Sequence, residues 1–137
     1  MVNKEVEEII DGLLKLQDII LGNNPADEWV KQRAIENAGN VAHIHIVDEE
    51  GVTQVRLKLD ENLRIVKTNE PPTHVITMHI DVFLWILAGE IDPREAYVRG
   101  LLSFRGKDYH FHALIWAKAF ERLRKVLERY GVLRRLI

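Results

Sequence analysis

Seven consecutive apolar residues, Val82-Phe83-Leu84-Trp85-Ile86-Leu87-Ala88, lie between Asp81 and Gly89. Asp81 is a residue type that caps helix starts, and Gly89 one that ends helices. The run therefore predicts a short helix with no polar face. Such a helix is either a core helix covered on every side or one that faces an apolar cavity. It falls far short of the ~20 apolar residues that cross a bilayer. The rest of the chain must bury it, and 137 residues suffice to do so as a single domain without disulfides or metals.

The flanking sequence supplies the partners. Val6, Ile9, Ile10, Leu13, Leu14, Leu16 and Ile20 recur at helical spacing and predict an amphipathic helix over 4–21, ended by Gly22 and Asn23. Asn24-Pro25 starts a second helix with Trp29, Val30, Ala34, Ile35 and Ala38, stopped by Gly39. The period then changes to two. Strands are predicted over 41–47, 52–59, 63–68 and 73–79, separated by turns at 48–51 and 60–62 and by Glu70-Pro71-Pro72. Beyond Gly89, Asp92 is placed to cap a helix with Pro93 in its first turn and Glu95 reaching back. A fifth strand, 101–105, carries Leu102 and Phe104 on one face, and Gly106 closes it. A long helix over 109–130 with Phe111, Leu114, Ile115, Trp116 and Phe120 precedes a tail, 131–137. Helices, then a four-strand meander, then helices around one late strand make an α+β pattern with antiparallel pairing, not alternating βαβ units.

Little in the chain points to catalysis. The absence of cysteine removes disulfides, thiol nucleophiles, zinc fingers and iron–sulfur clusters, and fits a reducing compartment. The acidic, amphipathic N-terminus is not a signal peptide, so a soluble, cytoplasmic protein is expected. The sequence holds no G-x-S-x-G, Walker, dinucleotide or H-E-x-x-H motif, and its one serine, Ser103, has no neighbouring base. No cofactor is implied. His43 and His45 share a strand face, but a metal site needs further ligands that no spacing supplies, and a solvated face explains the pair as well. His110 and His112, two apart on a helix, do not share a face. From Arg94 onward eleven basic residues meet only four acids, while the first two-thirds of the chain is acidic. That asymmetry either sets a basic helix beside an acidic one or marks an anionic partner. Glu121 and Glu128 dilute the basic helix, so no nucleic-acid partner is expected.

The stretch 75–106 resembles the signature half of sterol-carrier-protein-2-like (SCP2-like) domains. The resemblance rests on Asp81, Gly89, Asp92, Pro93, Ala96, Tyr97, Gly100, Leu102, Phe104 and Gly106, and with the looser match of the preceding strands it extends over roughly residues 40–125. Three features depart from the family pattern. The segment Asp108 to Phe111 is bulkier, Leu101 and Ser103 stand where lysines are common, and the sequence ends in Arg-Arg-Leu-Ile, not in a peroxisomal tripeptide. The resemblance implies a twisted five-stranded sheet with helices on one face and an apolar tunnel between them. It implies non-catalytic binding or transfer of a fatty acid, sterol or acyl-CoA-type lipid. From face and resemblance together, the pocket is expected to be lined by Phe83, Ile86, Leu87, Leu102, Phe104, Phe111, Ile115 and Phe120. Basic residues of the last helix are placed to hold an anionic head group or to touch an anionic membrane. The alternative is an assembly domain with a filled core, favoured by the bulk of Trp85, Phe111, Trp116 and Phe120. It implies a homodimer or a subunit of a partner enzyme. A weaker third reading is an enzyme with a histidine base acting on a bound thioester or small apolar substrate.

Overall fold

The computed structural model describes residues 3–21, 40–60 and 64–106, together with Trp116, Phe120, Glu121 and Arg124. The helix expected over 25–38, the tail, and all but those four residues of the helix expected over 109–130 lie outside the described residues.

Helix α1 (Lys4–Leu21) starts at Asn3. The Asn3 Oδ1 accepts the N–H groups of Glu5 (3.0 Å) and Val6 (3.3 Å), donors that a helix start leaves unpaired. The same residue docks the helix on the sheet, its backbone N–H donating to Thr53 Oγ1 (2.8 Å) and its Nδ2 to Asp48 (2.9 Å). Strands β1 (Val41–Asp48) and β2 (Gly51–Leu59) form an antiparallel hairpin. Asp48 holds its turn by accepting from the N–H groups of Glu50 (2.8 Å) and Gly51 (3.1 Å). These bonds, with Asn3 first among them, lower the pKa of Asp48.

Strand β3 (Ile65–Lys67) pairs with the end of β2, but β4 (His74–His79) does not continue the meander. It lies parallel to β1 on the far side, and β5 (Leu102–Gly106) closes the sheet in the order β3-β2-β1-β4-β5. The sheet is thus mostly antiparallel with one parallel pair, and the expected four-strand meander is corrected. The crossing segment, 68–73, is fastened where it passes. His43 Nε2 donates to the Glu70 carbonyl (3.2 Å), and Lys58 pairs with the Glu70 carboxylate (3.0 Å). The Thr73 hydroxyl donates to the Val41 carbonyl (3.0 Å) and accepts the Val41 N–H (2.9 Å).

The all-apolar run is helix α2 (Ile80–Ala88). Its cap is His79, not Asp81 as expected. The helix begins directly at the last residue of β4, so the His79 Nδ1 is the atom that accepts the Asp81 N–H (3.1 Å). Gly89 ends it with φ 77°, and a Cβ there would stand 2.5 Å from the Arg124 guanidinium. Asp92 caps α3 (Pro93–Val98) through the Arg94 N–H (2.8 Å). Glu95 pairs with Arg99 one turn on (3.7 Å).

The described helices gather on one face of the sheet. Val6, Ile10 and Leu13 of α1, Phe83 and Leu87 of α2, and Trp116 meet the core-facing residues of all five strands, among them Ile46, Leu57, Ile65, Ile76 and Phe104. Period-two alternation sends His43, His45, Gln54, Arg56 and Lys58 to the opposite face.

Candidate functional site

The described residues leave a space between sheet and helices. A cavity of about 310 Å³ lies there. Among the described residues, its floor is the core face of the sheet, with Ile65 from β3, Leu57 from β2, Ile44 from β1, Ile76 and Met78 from β4, and Leu102 and Phe104 from β5. Its roof is Ile10, Leu13 and Leu14 of α1 and Phe83 and Ile86 of α2. Pro93, Arg94, Tyr97 and Val98 of α3, with Trp116 and Phe120, complete it. Val98 is 81% exposed, so this side reaches the surface.

Of the eight residues expected to line a pocket, Phe83, Ile86, Leu102, Phe104 and Phe120 come together around this cavity. Leu87 does not line it; it is buried in the core with the core-facing residues of the sheet. Phe111 and Ile115 lie outside the described residues. Sequence reasoning placed the apolar residues of α1 on a helix without assigning them to the pocket, and passed over Ile44, Leu57, Ile76 and Met78. For the strand residues a signal was present, because they are the alternating apolar positions of the core face.

Polar side chains are scarce in the lining. Tyr97 and Trp116 each contribute one polar atom, and Arg94 is the one charged side chain there among the described residues. The Trp116 indole Nε1 is buried and has no hydrogen-bond partner among the described residues. Arg94 is half-exposed and already matched. Its Nε and Nη2 donate to the two Asp92 oxygens (2.8 and 2.7 Å), and Nη2 also reaches Glu121 (3.1 Å). The Asp92 hydrogen bond, with the Asp92 and Glu121 charges behind it, raises the Arg94 pKa. The Asp92 carboxyl is in turn lowered, mainly by the Arg94 side chain. The pair ties the start of α3 to the segment that carries Glu121. A broader groove, about 640 Å³, runs outside α1 and β2, but Glu7, Arg56 and Lys67 stand in its lining. Charge of both signs suits it poorly to an apolar molecule.

The described histidines are occupied elsewhere. His45 accepts from the Gln54 amide (3.0 Å), whose oxygen is taken by Arg56 Nε (2.9 Å). His74 is buried, bonded to the Thr73 hydroxyl (2.7 Å) and tilted against the Phe104 ring at 5.1 Å. Among the described residues no helix is long and apolar enough to cross a membrane.

Comparison with known proteins sets this arrangement in context. Residues 20–111 match the SCP-2 sterol transfer family. A comparison with curated proteins found no match. Among solved structures, sterol carrier protein 2 from Yarrowia lipolytica is similar, with 20% identity, 92% of this chain and 94% of that one covered, and a TM-score of 0.54. Sterol carrier protein 2 like 2 from Aedes aegypti shares 18% identity over 82% of this chain and 94% of its own, with a TM-score of 0.52. A ubiquinone synthesis protein, UbiJ-SCP2, shares 14% identity over 88% and 96%, with a TM-score of 0.53. At these identities the likeness is one of fold.

Proposed function

The chain belongs to the SCP-2 sterol transfer family, and from that premise we propose that it binds an apolar ligand between sheet and helices and carries it without chemical change. The observation that carries this reading is the cavity itself, about 310 Å³ and lined almost wholly by hydrocarbon. Transfer of apolar surface from water favours occupancy by ~0.8 kcal/mol per buried CH₂. Ten such groups contribute about 8 kcal/mol before the costs of association, enough for useful but reversible binding. The ligand is of the fatty-acid, sterol or acyl-CoA type. Phe83, Ile86, Leu102, Phe104, Phe111, Ile115 and Phe120 contact it, and Leu87 packs α2 into the core beside them.

A non-catalytic role fits the lining. Acid–base or nucleophilic chemistry needs a titratable group in reach of the reacting atoms. The Tyr97 hydroxyl and a charge-matched Arg94 are poor candidates, and no described lining residue is a histidine or a carboxylate.

The second reading, an assembly subunit, draws on the exposure of Trp85 and Val98, large apolar side chains that a partner surface would cover. One fold serves many functions.

Native mass spectrometry of the purified protein, followed by extraction and lipid identification, separates the two. The carrier reading expects a stoichiometric lipid, or uptake of a fluorescent fatty acid that Phe104→Asp abolishes in a protein that is still folded. A protein that is empty, refuses fatty acids, sterols and acyl-CoAs, and runs as a dimer or with a partner would replace it with the assembly reading.

A further inference from the structure

The cavity lining contains one polar group left unpaired in the fold. Trp116 is 6% exposed, lines the cavity, and buries an indole N–H that has no acceptor among the described residues. Buried donors are nearly always paired, because an unmade bond keeps the whole desolvation penalty. A water molecule is a poor partner here. It needs two or more polar neighbours, and the other polar side chains of the described lining are those of Tyr97 and Arg94. An oxygen of a ligand held in the space that Trp116 already lines would supply the missing acceptor.

We infer that Trp116 is the specificity-determining donor of the cavity, and that it bonds one uncharged oxygen of an otherwise apolar ligand. This rests on the ligand-binding reading above. The oxygen is a ketone, ester or hydroxyl oxygen, not a carboxylate. An ionised group needs a countercharge in an apolar site. Arg94, the one cation of the described lining, already faces Asp92 and Glu121. The volume sets the size. About 310 Å³ is twice the ~150 Å³ void that takes up one benzene, so the enclosed part of the ligand is roughly a dozen carbons.

The test compares three probes of equal length, methyl nonyl ketone, undecane and undecanoate, on the wild-type chain and on Trp116→Phe. Because the alkane has the larger drive to leave water, the informative quantity is the ratio of ketone to alkane affinity. That ratio should fall about tenfold in Trp116→Phe, and undecanoate should bind more weakly than the ketone. In the wild type, the Trp116 indole proton should move downfield on adding the ketone and not the alkane. Its resonance is identified by elimination in Trp29→Phe and Trp85→Phe, so this readout stands even if Trp116→Phe does not fold. An unchanged ratio, an unmoved indole proton, or tighter binding of the carboxylate overturns the inference and leaves the carrier reading intact. Binding of none of the three overturns the inference, and refusal of sterols and acyl-CoAs as well overturns the carrier reading with it.

Discussion

Gln17 carries a neutral amide into the apolar core from the buried side of α1, 2% exposed. Its Nε2 donates to the Ile65 carbonyl (2.7 Å) and its Oε1 accepts the Ile65 N–H (3.0 Å), so the side chain pairs with the short strand β3 as another strand would. Replacing it with leucine keeps the volume but leaves two buried backbone groups unpaired. Gln17→Leu should therefore cost about 2–4 kcal/mol, read as a lower urea midpoint at unchanged slope; an unmoved midpoint would show that Gln17 does not pin β3. Nothing in the sequence marks this residue, because helical periodicity counts a glutamine among the solvated positions. Gly106 is the opposite case. It stands out in the sequence as a strand-closing glycine, and the structure supplies the reason: a Cβ there would sit 2.5 Å from the Thr73 carbonyl oxygen.

At the scale of the element, caps were legible where one residue type could serve and ambiguous where two could. Asp92 before Pro93 has one reading and the structure agrees with it. Between His79 and Asp81 the sequence favours the acid, but the extended backbone of His79 (ψ 150°) at the end of β4 makes that residue the cap. The Asp92 cap has a pH dependence whose sign follows from its shift. Hydrogen bonding to Arg94 lowers its folded pKa below the unfolded value. The stabilisation is therefore fully present above the ordinary carboxylate pKa and fades as pH falls through the lower folded value. Asp92→Asn keeps a good cap and removes the charge. Since the pair is substantially solvated, the variant should lose no more than about 1 kcal/mol at neutral pH. The gap between the denaturant midpoints of the two proteins should narrow as pH falls below the ordinary carboxylate range and close once Asp92 is protonated in the folded state; a gap that stays constant through that fall would mean the Arg94 pairing is not what separates them.

At the scale of the molecule, hydrophobic alternation told which residues of each strand face the core but not which strands are neighbours. That is why β4 was expected beside β3 when it lies beside β1. The deciding contacts, Thr73 with Val41 and Glu70 with His43 and Lys58, are long-range pairings of ordinary loop residues and leave no periodic trace. Hollowness is hidden for a related reason, since apolar residues around a void show the same spacing as those of a packed core. A single substitution can make the distinction. Ile44 lies on the central strand of the sheet and in the cavity floor. In a filled core, Ile44→Trp would force neighbours off their rotamers and cost about 1–3 kcal/mol or more. With open space above it, the indole gains buried surface instead, so stability should stay within about 1 kcal/mol of wild type or rise. Uptake of a fluorescent fatty acid should be lost from the same protein, because the added ring occupies the space of the ligand. Thermal melts with and without fatty acid test both halves. The wild-type Tm should climb with ligand concentration as binding to the folded state requires, and that of Ile44→Trp should not. A variant that melts far below wild type would argue for a packed core, and one that still takes up ligand would place the binding site elsewhere.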